Sequence, residues 1–306
     1  MFRFVVKRLL EAVPVLLIVA TATFFLARFA PGGPFDEERP LPPAVQAQMN
    51  AHYGLDQPLS QQYFRFLGNL LRGDLGPSYK YHGWEVSELI ANRVPVSLAL
   101  GGGALLIALA LGIPLGCVAS VKPGSWLDRV PTGLATLGIC LPTFVIGPLL
   151  VLVFSNMLGW FNASGWSVPA DAVLPCLTLG IVYAAPVARL MRGSMLEVRT
   201  ADFMKTARAK GLSPWRIYFV HGLRNALIPI VSYIAPTAAG LISGSFVVES
   251  MFNIPGLGQF FVKAAFNRDF TLIVGTVMFY ALILVLLNLV GEIVLAKIKP
   301  QLRLEN

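Results

Sequence analysis

Charge is scarce in this sequence. Only 13% of its 306 residues are Asp, Glu, Lys or Arg and 56% are hydrophobic, whereas about a quarter of a soluble domain is charged, so a water-soluble globular domain is excluded. Histidine and cysteine are scarce too, at three each. Cys117, Cys140 and Cys176 all fall in apolar runs without a ligand cluster near them in sequence, so disulfide and metal roles are set aside and each is expected to be a small core residue. No acid or histidine stands in the middle of an apolar run; Glu11, Arg28 and Glu292 lie close to run ends. Proton-coupled carriers and voltage sensors need such groups at depth, so an ion-coupled carrier is disfavoured. The Gly-x-x-x-x-Gly-Lys-Ser/Thr phosphate loop is missing as well. Nucleotide chemistry, if the protein's work needs any, belongs to a partner, and neither a catalytic residue nor a cofactor is expected in the chain.

What is there is apolar and long. Six segments, 9–30, 96–121, 130–158, 172–191, 227–248 and 272–296, are near or above the length that crosses a bilayer, about 20 residues at about 1.5 Å per residue. The expected fold is an all-α integral membrane bundle, one domain over 1–306. The net charge of +8 follows topology rather than a nucleic-acid partner. With both termini inside, the inner loops collect Arg3, Lys7, Arg8, Lys122, Arg129, the eight basic residues from Arg189 to Arg224, and Lys297, Lys299 and Arg303, while the short outer loops keep Lys263 and Arg268. The basic start resembles a signal peptide. Its apolar run is too long for one, and its Ala20-Thr21-Ala22 lies inside the run, so a retained first span is expected.

Residues 31–95 form a polar stretch without a spanning run. A turn-rich opening leads into amphipathic pieces at 45–53 and 59–71, and with seven acidic and five basic residues it is no polyanion patch. Within it Gly73-Asp74 and Gly76-Pro77 are turn formers.

Small residues recur every four positions in the second span, at Ala104, Ala108, Gly112, Gly116 and Ser120, and in the fifth at Ser232, Pro236, Gly240 and Gly244. Lipid is as apolar as leucine, so close backbone approach rather than hydrophobicity holds such helices together; the stripes are assigned to packing, within the chain or across a subunit interface. Prolines 114, 142, 148, 175, 186, 229 and 236 free carbonyls inside the spans and are expected to bend them.

The chain is organised around a polar interruption, 200–216, TADFMKTARAKGLSPWR. It reads as two short helices with a corner. Thr200 is the expected N-cap and Asp202 suits the positive end. Lys205, Arg208 and Lys210 suit the far end, Gly211 stops the first helix, and Ser213-Pro214 starts the second. Phe203, Ala207 and Lys210 are expected on one side, with small Ala207 and Gly211 admitting another backbone. Further on, 247–270 turns at Pro255-Gly256 and then places Leu257, Phe260, Phe261 and Ala264 at helical spacing, as an amphipathic helix at the outer interface does.

The run ARAKG (207–211), His221 and RNALIP (224–229) resemble the cytoplasmic coupling loop of binding-protein-dependent ABC importer permeases, in their peptide/nickel branch, most of all the B-type membrane subunit of oligopeptide importers. The likeness runs from FRFVVKRLLEAVPVL at the N-terminus, through GLDQPLSQQY and RGDLGPS (72–78), to Asn267-Arg268-Asp269. The generic Glu-Ala-Ala opening and Ile-x-Leu-Pro ending are replaced here by Thr-Ala-Arg-Ala and Ala-Leu-Ile-Pro. The resemblance implies a type I importer fold with six transmembrane helices, a long periplasmic loop at 31–95 and a cytosolic coupling helix within 200–216. The implied place is the bacterial inner membrane. Implied partners are a second homologous permease, two cytosolic ATP-binding subunits, a periplasmic peptide-binding protein, the peptide and the lipid bilayer. It implies ATPase contact by Phe203, Ala207, Arg208, Ala209, Lys210, Gly211, Ser213 and Pro214. Glu249, Pro255, Gly256, Gly258, Arg268 and Asp269, in a Glu-x-x-Phe-x-x-Pro-Gly-x-Gly segment and its close, are implied near the external mouth. Dipeptides, glutathione and nickel chelates stay open as alternative cargo; peptide is preferred partly for the resemblance to the B-type subunit and partly because no His, Cys or acidic cluster is available inside the bundle to bind a metal.

Overall fold

Backbone amides have no water to turn to inside a bilayer, so apolar runs close their hydrogen bonds as helices. The computed structural model describes residues 2–29, 32–35, 42–243 and 245–298. Among them the β structure is one isolated bridge, Pro77 to Glu85. Five helices are long and apolar enough to cross a membrane, and a bent pair makes up to six.

The chain groups into two compact units, residues 1–95 with 256–283 and residues 96–255 with 284–306. In the first, α1 (Phe2–Phe29) is followed by α2 (Pro43–Tyr53) and α3 (Leu59–Leu71), then by the start of α4 (Val86–Val121). The two short helices fall where the amphipathic pieces were read. Phe24 of α1 stacks on Phe66 of α3 at 5.3 Å between centroids, and Thr21 meets the Tyr63 hydroxyl at 2.8 Å. Ala20, Phe35, Tyr79, Phe270 and Met278 form one core. Val86, Ile90, Leu257, Phe260 and Leu272 form another, drawing in α12 (Leu257–Phe266) and the start of α13 (Phe270–Ile298).

The second unit holds the rest of α4, then α5 (Trp126–Cys140), α6 (Thr143–Leu150), α7 (Val173–Thr200), α8 (Asp202–Ala209), α9 (Pro214–Arg216), α10 (Leu223–Ile242) and α11 (Phe246–Met251). Its core is Leu100, Leu174, Leu179, Leu241, Val248, Phe252 and Ile254.

Three expectations are corrected here. The run 130–158 is not one straight span: α5 and the segment Thr143–Met157 meet at 107°. Leu141, before Pro142, is extended at ψ 120°, as a residue preceding proline tends to be. Past Pro148 the helix widens into a π-helical stretch, Val151–Met157. The second span starts at Val86 rather than at 96, and the fifth helical run is Pro214–Ile242 rather than 227–248; Val248 belongs to α11. Polar residues continue these helices beyond the apolar stretch, which hydropathy alone cannot see. Finally, Cys117 and Cys176 are buried but Cys140 is exposed, at the end of α5 where the chain breaks.

Candidate functional site

The polar interruption between α7 and α10 lies wholly in the second unit. α7 continues through Thr200, whose hydroxyl donates back to the Glu197 carbonyl at 2.8 Å. Thr200 is therefore not the cap expected of it. Ala201 takes that position, extended at ψ 148° and without a side-chain acceptor. Asp202 opens α8, where its carboxylate meets the helix dipole and accepts from Lys205 Nζ at 2.8 Å.

The far end of α8 is closed by two reversed bonds. Gly211 N–H donates to Arg208 at 2.9 Å and Leu212 N–H to Ala207 at 3.3 Å, which is the Schellman pattern. It requires a left-handed residue after the cap, and Gly211 has φ +74°. Ser213 is then extended and Pro214 takes the first position of α9; the Ser213 hydroxyl makes no cap bond. Proline suits that position because its missing N–H has no partner there anyway.

One face of this foot is turned to its own chain. Met204 and Ala207, one turn apart, pack on Ile217, with Val198 and Leu212 around them. Ala207 is only 7% exposed, so its small side chain admits the foot's own Ile217, and it does not share the outer side with Phe203. Gly222 completes the seat: a Cβ there would lie 3.4 Å from Met204 Cε. Turned outward are Phe203 (41% exposed) and Trp215 (70%), with Arg208, Ala209, Lys210, Gly211, Ser213 and Pro214 exposed around them. The outer surface thus combines two aromatic side chains with several cations.

The foot is wired inward through the π-helical segment Ile217–Gly222. Trp215 meets Phe219 at 4.0 Å between centroids. The Tyr218 hydroxyl donates to the Cys117 carbonyl at 3.1 Å and shares a hydrogen bond with Ser120. In the same unit, Asp128 on α5 is bound to Arg192 on α7. Sequence reasoning missed Met204, Gly222, Tyr218 and the Asp128–Arg192 pair. Met204 and Ile217 could have been found as the apolar phase of the foot; Tyr218 carries no local signal.

The other expected residues divide. Ala104 and Ala108 are fully buried. Gly112 and Gly116 lie so close to α7 that a Cβ would stand 2.7 Å from the Ala184 carbonyl and 2.5 Å from that of Ala188. Ser232, Pro236 and Gly240 of α10 are exposed, and Gly244 lies outside the described residues. Of the residues placed near an external mouth, Glu249 and Pro255 belong to one unit and Gly256, Gly258, Arg268 and Asp269 to the other. Glu249 is fully buried and accepts from Ser97 Oγ at 3.3 Å. Asp269, also fully buried, accepts from the Ser78 hydroxyl, from Thr271 Oγ1 at 3.0 Å and from the Leu272 amide at 3.2 Å. It is therefore both a tie to the loop at 78–81 and the N-cap of α13. Among the described residues no group of three or more His, Cys, Asp and Glu could hold a metal ion.

Comparison with known proteins adds identity to this geometry. Residues 112–304 match the family model of the binding-protein-dependent transport system inner membrane component, and residues 1–101 match that of its N-terminal part. The chain is 45% identical over 305 residues to the oligopeptide transport system permease protein OppB of Haemophilus influenzae, covering 99% of this chain and 100% of the relative. The dipeptide transport system permease protein DppB of Bacillus subtilis is 39% identical, with 99% of each chain covered. Among solved structures, an inward-facing MetNI methionine ABC transporter matches with a TM-score of 0.56 at 20% identity, over 70% of this chain and 97% of that one; this likeness concerns the fold alone.

Proposed function

The chain belongs to the family of binding-protein-dependent transport system inner membrane components, and from that membership we propose that it is a membrane-spanning permease subunit of an ATP-driven oligopeptide importer. It is a multi-pass inner-membrane protein; in this reading both termini lie in the cytosol, and 31–95 faces the periplasm. The whole of 1–306 acts as one permease domain. A binding protein delivers peptide to the outer face, a second homologous permease completes the passage, and two ATP-hydrolysing subunits drive the cycle from the cytosol.

The observation that carries the coupling role is the two-sidedness of the foot. Met204 and Ala207 are seated on Ile217 within the chain, so α8 needs no partner to hold its place. Phe203, Trp215, Arg208 and Lys210 remain outside. Exposed aromatics beside cations on a rigid corner make an anchor for another protein's groove. A foot fixed at both ends, by α7 and by the π-helical segment, passes displacement on rather than absorbing it. The residues that touch the ATPase in this reading are Phe203, Arg208, Ala209, Lys210, Gly211, Ser213 and Pro214, with Ala207 holding them from behind.

The test is coexpression with the candidate ATPases, second permease and binding protein, followed by reconstitution. Peptide-stimulated ATP hydrolysis and cross-links from Phe203 or Lys210 to the ATPase are expected. Uptake by this chain alone, driven by a proton or sodium gradient without ATP, would replace the importer reading with an ion-coupled carrier.

A further inference from the structure

The unit formed by residues 1–95 and 256–283 contains a cavity of about 230 Å³ whose wall mixes cationic, amide and aromatic groups. Arg28 stands at the end of α1, half-buried, with its guanidinium over Phe24 at 5.5 Å and Phe270 at 6.0 Å from the ring centroids. Next to it, taking one of its N–H donors, is Tyr79. Burial pushes its phenol up, and the neighbouring guanidinium only partly offsets this. Among the described residues no carboxylate forms an ion pair with Arg28. A guanidinium has five N–H donors in a planar fork that matches a carboxylate; aromatic faces steady the charge without using those donors. Arg65 supplies a second cation to the same wall, with one nitrogen engaged by Gln57 Oε1 at 2.7 Å.

Gln62 also lines the cavity and is held rigid there. Its amide nitrogen donates to the Leu55 carbonyl at 3.1 Å and to that of Gln57 at 2.7 Å, which fixes which way the amide points. Its Oε1 is buried among protein atoms without a partner. Asp74 also lines the cavity, with its Oδ1 taken by the Gly76 amide at 2.8 Å.

We propose that this cavity binds the free-carboxylate end of a peptide: the C-terminal carboxylate at Arg28 and Arg65, and an apolar or aromatic side chain against Phe24 and Phe270. The proposal rests on the importer reading above. The cavity is smaller than the roughly 300–1,000 Å³ of sites for drug-sized ligands, so it admits one terminal residue and leaves the rest of the peptide outside. That suits a protein handling many sequences, since every linear peptide ends in the same carboxylate.

The experiment uses the full chain in lipid nanodiscs and the tripeptide Ala-Ala-Phe, as free acid and as C-terminal amide, with inorganic phosphate as competitor. The acid is expected to bind. The amide and Arg28→Gln should each weaken binding by about tenfold, the worth of one charge-assisted fork, and Arg65→Ala, which alters an exposed residue at the rim, should weaken it by about threefold. Should Arg28→Gln fail to fold, the amide and Arg65→Ala comparisons decide. Equal binding of acid and amide, or displacement of the peptide by phosphate at equal concentration, would overturn the proposal, the latter in favour of a general anion site. ATP-driven uptake by the assembled wild-type complex is measured alongside. Uptake without binding to this chain sinks only the terminal-residue site, whereas no uptake of any peptide sinks the importer reading.

Discussion

Asp128 grips Arg192 through both carboxylate oxygens, Nε to Oδ1 at 2.6 Å and Nη2 to Oδ2 at 2.7 Å. The pair ties the first turn of α5 to α7, and Asp128 is further fixed by the Gly124 amide at 2.9 Å and Thr132 Oγ1 at 3.1 Å. Two-point geometry of this kind is stronger than a point-charge contact. Asp128→Ala is expected to destabilise the purified chain by about 2–3 kcal/mol, less than the 3–5 kcal/mol typical of breaking a fully buried pair, because the Arg192 side chain is 31% exposed. Arg192→Lys should recover only part of this. A double-mutant cycle with Arg192→Ala, read by thermal unfolding in detergent, checks it; additive single effects would mean the pair contributes nothing.

Gly211 holds the corner of the foot at φ +74°, and a Cβ there would meet nothing within 4 Å. Strain and bulk can therefore be separated. Gly211→Ala should cost about 1–2 kcal/mol locally from the left-handed backbone alone and leave ATPase binding largely in place. Gly211→Trp adds a large side chain to the outer surface. Membrane insertion and yield should stay normal, while copurification of the ATPases and peptide uptake are lost. Copurification of the ATPases with Gly211→Trp at wild-type yield would count against docking at this corner.

Met204 and Phe203 are neighbours in sequence with opposite duties. Met204 is 1% exposed in the seat formed with Ile217, while Phe203 points out. Met204→Ala empties that seat, at a cost of about 2–5 kcal/mol for a fully buried site, and should speed amide exchange across 202–212. Phe203→Ala should leave exchange unchanged and weaken ATPase copurification. Equal exchange in both variants would show that the inner face does not hold the foot.

The parts of this fold legible in the sequence are those with local causes. Gly211 and Pro214 mark the corner because a left-handed residue and a missing N–H each suit one backbone state. α3 was readable at Leu59–Leu71 from its own periodicity. The break after Leu141 had a local cause too, Pro142, but the apolar run on both sides hid it. The phase of α8 at Ala207 is not legible in the sequence: eight residues give little more than two turns, and the neighbour that decides which side is inner, Ile217, comes after the corner. Contacts such as Ser78 to Asp269, 191 residues apart, have no trace in spacing. In an apolar chain they are decided by which polar groups find each other when no water competes.

Two stripes of small residues that look alike in the sequence behave differently in the fold, and this gives the last prediction. On α4, Gly112 and Gly116 press on backbone carbonyls of α7, and a carbonyl cannot swing aside as a side-chain tip can. Gly116→Val should therefore destabilise the chain by about 1–3 kcal/mol or more through overpacking, visible as lower yield of folded protein when it is expressed alone. On α10, a Cβ on Gly240 would meet nothing within 4 Å, and Ser232, Pro236 and Gly240 lie open along one face. Lipid gains nothing by a groove of small residues, whereas another helix gains close contact there. Gly240→Leu should accordingly leave the isolated chain's yield and melting unchanged but reduce copurification with the second permease. If Gly240→Leu leaves that copurification unchanged, the face is covered by lipid alone and the subunit interface lies elsewhere.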